Sequence, residues 1–133
     1  MNWDINVWQG LVAGVAAMVP GAIIYHPKVL GATWAKEVGH KVGQMDGAGA
    51  AMAKMLVASL LNGVVASLVV RTIGAQNVGD AVLVGLVLSW FWVSGSLMQT
   101  FFEPNRSWKL FQINALSHVL TGAVIGLVLG LFL

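Results

Sequence analysis

The chain has 133 residues, 58% of them hydrophobic and only 9% charged, with a net charge of +2 and no cysteine. Soluble domains carry about 25% charged residues, so this composition excludes an ordinary soluble domain, which would expose large apolar patches and aggregate. The missing cysteines exclude disulfides, thiolate metal sites and a cysteine nucleophile, and the small positive charge needs no nucleic-acid partner, because basic loops orient membrane proteins.

The mean hydropathy of +0.82 is unevenly distributed. No Asp, Glu, Lys or Arg occurs between Asp4 and Lys28, between Lys54 and Arg71, between Asp80 and Glu103, or after Lys109. Crossing ~30 Å of hydrocarbon takes about 20 helical residues, and each gap is near that length. The spacing predicts four transmembrane helices, at about 5–25, 52–70, 81–102 and 110–133, in a single transmembrane domain spanning 1–133. Met1-Asn2-Trp3-Asp4 lacks the basic start of a secretory signal, so the first helix is expected to remain. Short turns make neighbouring helices antiparallel, and an all-α four-helix bundle is the expected architecture.

The first connection, 26–51, is the long one. Gly39, Gly43, Gly47 and Gly49 weaken any helix there. Leu30, Trp34 and Val38 recur every four residues and suggest a short interfacial helix over Gly31–Val42, against the alternative of a flexible loop. Lys28, Lys36, Lys41 and Lys54 belong to this connection, Arg106 and Lys109 to the third, and Arg71 alone to the opposite side. Lys and Arg favour the cytoplasmic side, so both termini are expected outside. Trp3 and Trp8 then fall at the outer interface, and Tyr25, Trp34 and Trp108 at the inner one. Trp90 and Trp92 fall mid-helix and are expected to be packing residues.

Two segments carry a resemblance: Gly21 to Trp34, with Tyr25-His26-Pro27, Gly31 and Trp34, and Phe101 to Ala115, with Phe102-Glu103, Lys109-Leu110-Phe111 and Ile113-Asn114. Together with four helices in one short chain, they resemble the bacterial membrane family called domain of unknown function 1761, over nearly the whole length. Such families often have Ser where this chain has His26. The resemblance implies a bacterial four-helix protein of the inner (plasma) membrane and no particular activity. The ends of helices one and three, Tyr25-His26-Pro27-Lys28 and Phe102-Glu103-Pro104-Asn105-Arg106, also hint at two repeated helical hairpins, a parallel repeat of the kind found in transporters.

Polar residues inside a membrane tend to face a bundle interior or a cavity. Asn62 in helix two, Ser96, Gln99 and Thr100 running to Glu103 in helix three, and Asn114, Ser117, His118 and Thr121 in helix four concentrate in the cytoplasmic half. At ~1.5 Å per residue, Asn62 lies about 12 Å from Lys54, Gln99 about 6 Å from Glu103, and His118 about 13 Å from Lys109. Ser96, Gln99 and Glu103 share one helix face, as do Asn114, His118 and Thr121. The set describes either a polar cavity open to the cytoplasm, in which His118 beside a carboxylate could take a proton or a cation, or interhelical hydrogen bonds that fix packing.

Small residues form ridges: Gly10 and Gly14; Ser59, Gly63 and Ser67; and Gly122, Gly126 and Gly130, continuing the line of Asn114 and His118. Such spacings bring helix backbones close, within one bundle or between subunits. No His-x-x-x-His or Glu-x-x-His spacing, phosphate loop or catalytic triad order occurs, so no enzyme, metal site or cofactor is expected. The function expected is a small oligomeric channel-like or transporter-like membrane protein. The alternative is an accessory or structural subunit packed against a larger membrane complex, with lipid as the common partner.

Overall fold

The computed structural model describes residues 6–41 and 47–133. Its helices are α1 (Val7–Ala16), α2 (Met18–Ile24), α3 (Ala32–Val38), α4 (Ala48–Thr72), α5 (Val78–Phe102) and α6 (Trp108–Gly130), with a single π-type turn at Pro27–Gly31 before α3. Four stretches are long and apolar enough to cross a membrane: 18 residues over Val7–Ile24, 24 over Gly49–Thr72, 25 over Val78–Phe102 and 23 over Trp108–Gly130. The last three are each about 35 Å or more in length, enough for ~30 Å of hydrocarbon with some tilt. This is a multi-pass, all-helical membrane protein.

The first span is not straight. Pro20 lacks an N–H, and its ring crowds the carbonyl four residues earlier. The helix accordingly breaks at Ala17, between α1 and α2. α1 packs along α4 and also touches α6, whereas α2, beyond the break, packs chiefly on α6. Helix two begins earlier than its charges suggested, at Ala48, so Lys54 lies inside the helix. A lysine tolerates this by extending its stem along the apolar surface toward the interface.

Two helix pairs are closed by residues without bulk. In the α1/α4 pair, a Cβ on Gly10 would stand 2.6 Å from the Val64 Cα, one on Gly14 2.7 Å from the Leu60 Cα, and one on Gly63 2.1 Å from the Gly10 carbonyl oxygen. The Ser59 hydroxyl donates to the Gly14 carbonyl at 2.7 Å, and the Ser67 hydroxyl to the Asn6 carbonyl at 3.2 Å. In the α5/α6 pair, Cβ atoms on Gly122 and Gly126 would meet the carbonyls of Gly85 and Ala81, each at 2.4 Å, and one on Gly130 would meet the Val78 Cα at 2.7 Å.

The pairs join through a core of Ala13, Ala17, Ala66, Val70, Ala81, Val84, Ile125 and Leu129. All four spans contribute, and the core lies toward the end that carries the α4–α5 turn. Arg71 donates to the Gln9 side chain there at 2.6 Å, tying the start of α1 to the end of α4. Asn77 caps α5 by accepting from the Asp80 N–H at 3.0 Å, and Asp80 accepts in return from the Gln76 N–H at 3.0 Å, a reciprocal cap that satisfies otherwise unpaired donors.

The opposite, basic end is more open. Residues 49–58 of α4 are exposed on every side, and an open groove of about 390 Å³ runs along Ala53, Lys54, Val57, Ala58 and Leu61. A short helix is present where one was expected in this connection, and it ends sooner than expected, because Gly39 takes a left-handed conformation (φ 78°) that stops α3. Trp3, Ile5, Val42 and Gly43 lie outside the described residues.

Candidate functional site

The polar residues singled out by sequence fall in three places. The first is an elbow at the basic end, made by the turn at Pro27–Gly31 and α3. Pro27 supplies the fixed φ of a helix start, and the His26 Nδ1 accepts the Lys28 N–H at 3.2 Å. The chain turns so tightly that a Cβ on Gly31 would lie 2.0 Å from the Tyr25 carbonyl oxygen. The Tyr25 hydroxyl donates to the Asn114 Oδ1 at 3.1 Å, across 89 residues of sequence. The Tyr25 ring meets Trp34 edge-on at 5.5 Å between centroids, and Trp34 stacks on His40 at 6.2 Å.

Ser107 holds the other side of the elbow. Its oxygen caps α6 by accepting the Leu110 N–H at 3.1 Å, and its hydroxyl donates to the Glu37 carboxylate of α3. Asn114 and Ser107 thus fasten the first connection to the start of α6. The phenol–amide bond at Asn114 is half-buried. Tyr25→Phe should cost about 1 kcal/mol by leaving the amide oxygen without its donor. A thermal unfolding midpoint in detergent checks this, and no change at all would show that the amide oxygen finds another donor.

The second place is the outward face of α5. Trp92, Gly95, Gln99 and Phe102 follow at spacings of three, four and three, so they share one face, and all four are exposed. A Cβ on Gly95 would meet nothing within 4 Å. Ser96 lies beside this face, half-buried, and its carbonyl accepts the Thr100 hydroxyl at 2.9 Å. Glu103, exposed at the end of the helix, pairs with Arg106 at 2.5 Å, a contact that contributes little at such exposure. Trp90 and Trp92 are not packing residues of the bundle, contrary to expectation: they are 66% and 53% exposed. Ser89 and Val93 are buried instead, Ser89 against Gly122 of α6. His118 of α6 borders the same region, its ring 6.2 Å from that of Trp92.

Asn62 occupies the third place. It is half-buried on α4, one turn beyond Ala58 and the open groove. Among the described residues, then, Asn62, Asn114 and the Gln99–Glu103 face belong to three different surroundings. No side-chain hydrogen bond among the described residues joins one of these three to another. Nor does any group of three or more His, Cys, Asp or Glu among the described residues stand close enough to hold a metal ion.

Sequence spacing alone missed the Tyr25–Asn114 and Ser107–Glu37 contacts. For the first contact a signal was available, since Tyr25 and Asn114 fall in the two segments that carry the family resemblance; Glu37 lies outside them. Those segments now meet in space. A family model described as a protein of unknown function (DUF1761) matches residues 8–130. The chain belongs to that family. The match takes in all four spans and both halves of the elbow, and the family has no assigned activity. No curated protein and no solved structure matches the chain.

Proposed function

We propose that this protein works as a packing subunit of a larger membrane assembly, contributing its α5 face at the basic end to another transmembrane helix. The observation that carries this is Gln99. It is a side chain with two donors and an acceptor, exposed within an apolar span between Gly95 and Phe102. A lone polar group facing hydrocarbon is costly, and a neighbouring helix that hydrogen-bonds to it removes the cost. Gly95 leaves a notch in the same face, and Trp92 and Phe102 flank it with large rings. The closed α5/α6 and α1/α4 pairs, which also suit a reading as two repeated hairpins, would hold this face rigid. Positive-inside orientation would put the face in the cytoplasmic half of the bilayer, with both termini outside.

A second reading has a specific observation in its favour. Gln99 and Glu103 lie on the surface of the subunit, so copies arranged about an axis would bring them together and form a polar path between subunits. This is the homo-oligomeric, channel-like form.

Intact-complex mass measurement from the native membrane in mild detergent separates the two. A stoichiometric foreign subunit supports the first reading and a homo-oligomer the second, while a monomer rejects both. Gly95→Leu and Gln99→Ala should each weaken the complex at least about tenfold, equivalent to ~1.4 kcal/mol, while leaving helicity and the unfolding midpoint of the isolated subunit nearly unchanged. A complex that survives both substitutions places the interface elsewhere.

A further inference from the structure

The elbow has two faces of opposite character. Gly31, against the Tyr25–His26 backbone, and Ala35 are buried, whereas Lys28, Ala32, Lys36 and His40, spaced by four, are exposed, with Lys41 exposed immediately beyond. Among the described residues, the two acids at this end have partners other than these lysines, and Glu37 keeps its negative charge in a bond to a neutral hydroxyl. Glu37 receives the Ser107 hydroxyl, and Glu103 pairs with Arg106. Among the described residues, the Arg106–Glu103 contact is the one ion pair within 4.0 Å, so Lys28, Lys36 and Lys41 have no carboxylate partner there.

Position and rigidity add to charge. The stripe begins four residues after the first span ends at Ile24, and Ser107 joins it to the turn between the third and fourth spans. It therefore lies at the level where hydrocarbon gives way to headgroups. The Gly31 close approach, the Tyr25–Asn114 bond and the Tyr25–Trp34–His40 ring contacts hold it in one orientation. Lys28 and Lys36 are separated by about 12 Å along the segment, so each can meet a different headgroup phosphate.

We infer that the exposed face of the elbow is a binding surface for anionic phospholipid headgroups, with Lys28 and Lys36 as its principal contacts and Lys41 in support. The inference does not depend on which side of the membrane the elbow occupies, nor on the α5 face having a partner. Lipid is the occupant because an exposed basic stripe fixed at headgroup depth meets a dense array of phosphates without giving up anchoring entropy. A free anion would gain little from lysines in water, where charges are screened within ~10 Å.

The test uses the full chain reconstituted in phosphatidylcholine vesicles containing a minor fraction of spin-labelled phosphatidylglycerol, compared with spin-labelled phosphatidylcholine. The expected result is selective retention of the anionic label by the wild type, weakened by salt. A lysine near an anionic surface is worth about 1 kcal/mol, a factor of about five. K28Q/K36Q should therefore lower the preference roughly 25-fold. K54Q/K109Q removes the same charge from outside the elbow and should lower it less than about fivefold. All four lysines are exposed, so these variants leave the core untouched. Three results would overturn the inference: no anionic preference in the wild type, equal losses in the two double variants, or displacement of the label by millimolar inorganic phosphate at constant ionic strength.

Discussion

Gly85→Ala should destabilise the protein by about 3 kcal/mol, whereas Gly95→Ala, ten residues along the same helix, should leave it unchanged or stabilise it by up to ~1 kcal/mol. The chemistry of the two substitutions is identical and the surroundings are opposite. At Gly85 the added Cβ would stand 2.0 Å from the Gly122 carbonyl oxygen and 3.0 Å from the Gly126 nitrogen, both backbone atoms that no rotamer change can move. The α5/α6 pair must separate by more than an ångström, and the close contacts at Gly122, Gly126 and Gly130 loosen together. At Gly95 nothing lies within 4 Å, so only the helix preference for alanine over glycine remains. Unfolding midpoints of both variants in one detergent decide the matter. Equal effects would mean that the α5/α6 backbones are not in contact. Gly122→Ala should behave as Gly85→Ala does, and the double variant should cost less than the sum, because both relieve their clash by the same separation.

Gly31→Ala should open the elbow while sparing the bundle. The backbone at Gly31 has an ordinary helical φ of −62°, so conformational freedom is not the reason for the glycine. The reason is space: a Cβ would lie 2.0 Å from the Tyr25 oxygen, 2.6 Å from the Tyr25 carbonyl carbon and 2.8 Å from that of His26. Relief requires the Tyr25–Gly31 turn to unwind, which withdraws α3 from the start of α6 and separates Ser107 from Glu37. The core at the other end, around Ala13, Ala81 and Ile125, is not involved.

The absence of cysteine makes this measurable. Ala35→Cys places a single thiol on the buried face of α3, where a water-soluble maleimide should react slowly. Adding Gly31→Ala should raise the labelling rate roughly 30-fold if the elbow loses about 2 kcal/mol of closure, with helical circular dichroism nearly unchanged. An unchanged labelling rate would show that the turn accommodates a methyl group, and that the elbow is held by its side-chain contacts alone.

Several features were determined by the sequence itself. Spacing of charges fixed the four spans, because a bilayer tolerates few ionised groups and sets the length of an apolar helix. The ridges at Gly10, Gly63, Gly122 and Gly126 were legible because residues four apart occupy one helix face. The break at Ala17 was also written in the chain, at Pro20, although charge spacing is blind to it.

Tertiary structure decided the rest. Helical rise places Asn114, Gln99 and Asn62 in the same half of the bilayer, and it says nothing about how each helix is rotated relative to its neighbours. Packing of small residues sets those rotations. The α5/α6 contact through Gly85, Ser89 and Gly122 turns Gln99 and Trp92 outward, and the kink at Ala17 carries Tyr25 to Asn114 on α6 and away from α4. Residues that counting puts in one half of the bilayer therefore meet different neighbours, because depth follows from counting residues along a helix, whereas facing follows from which backbones can approach.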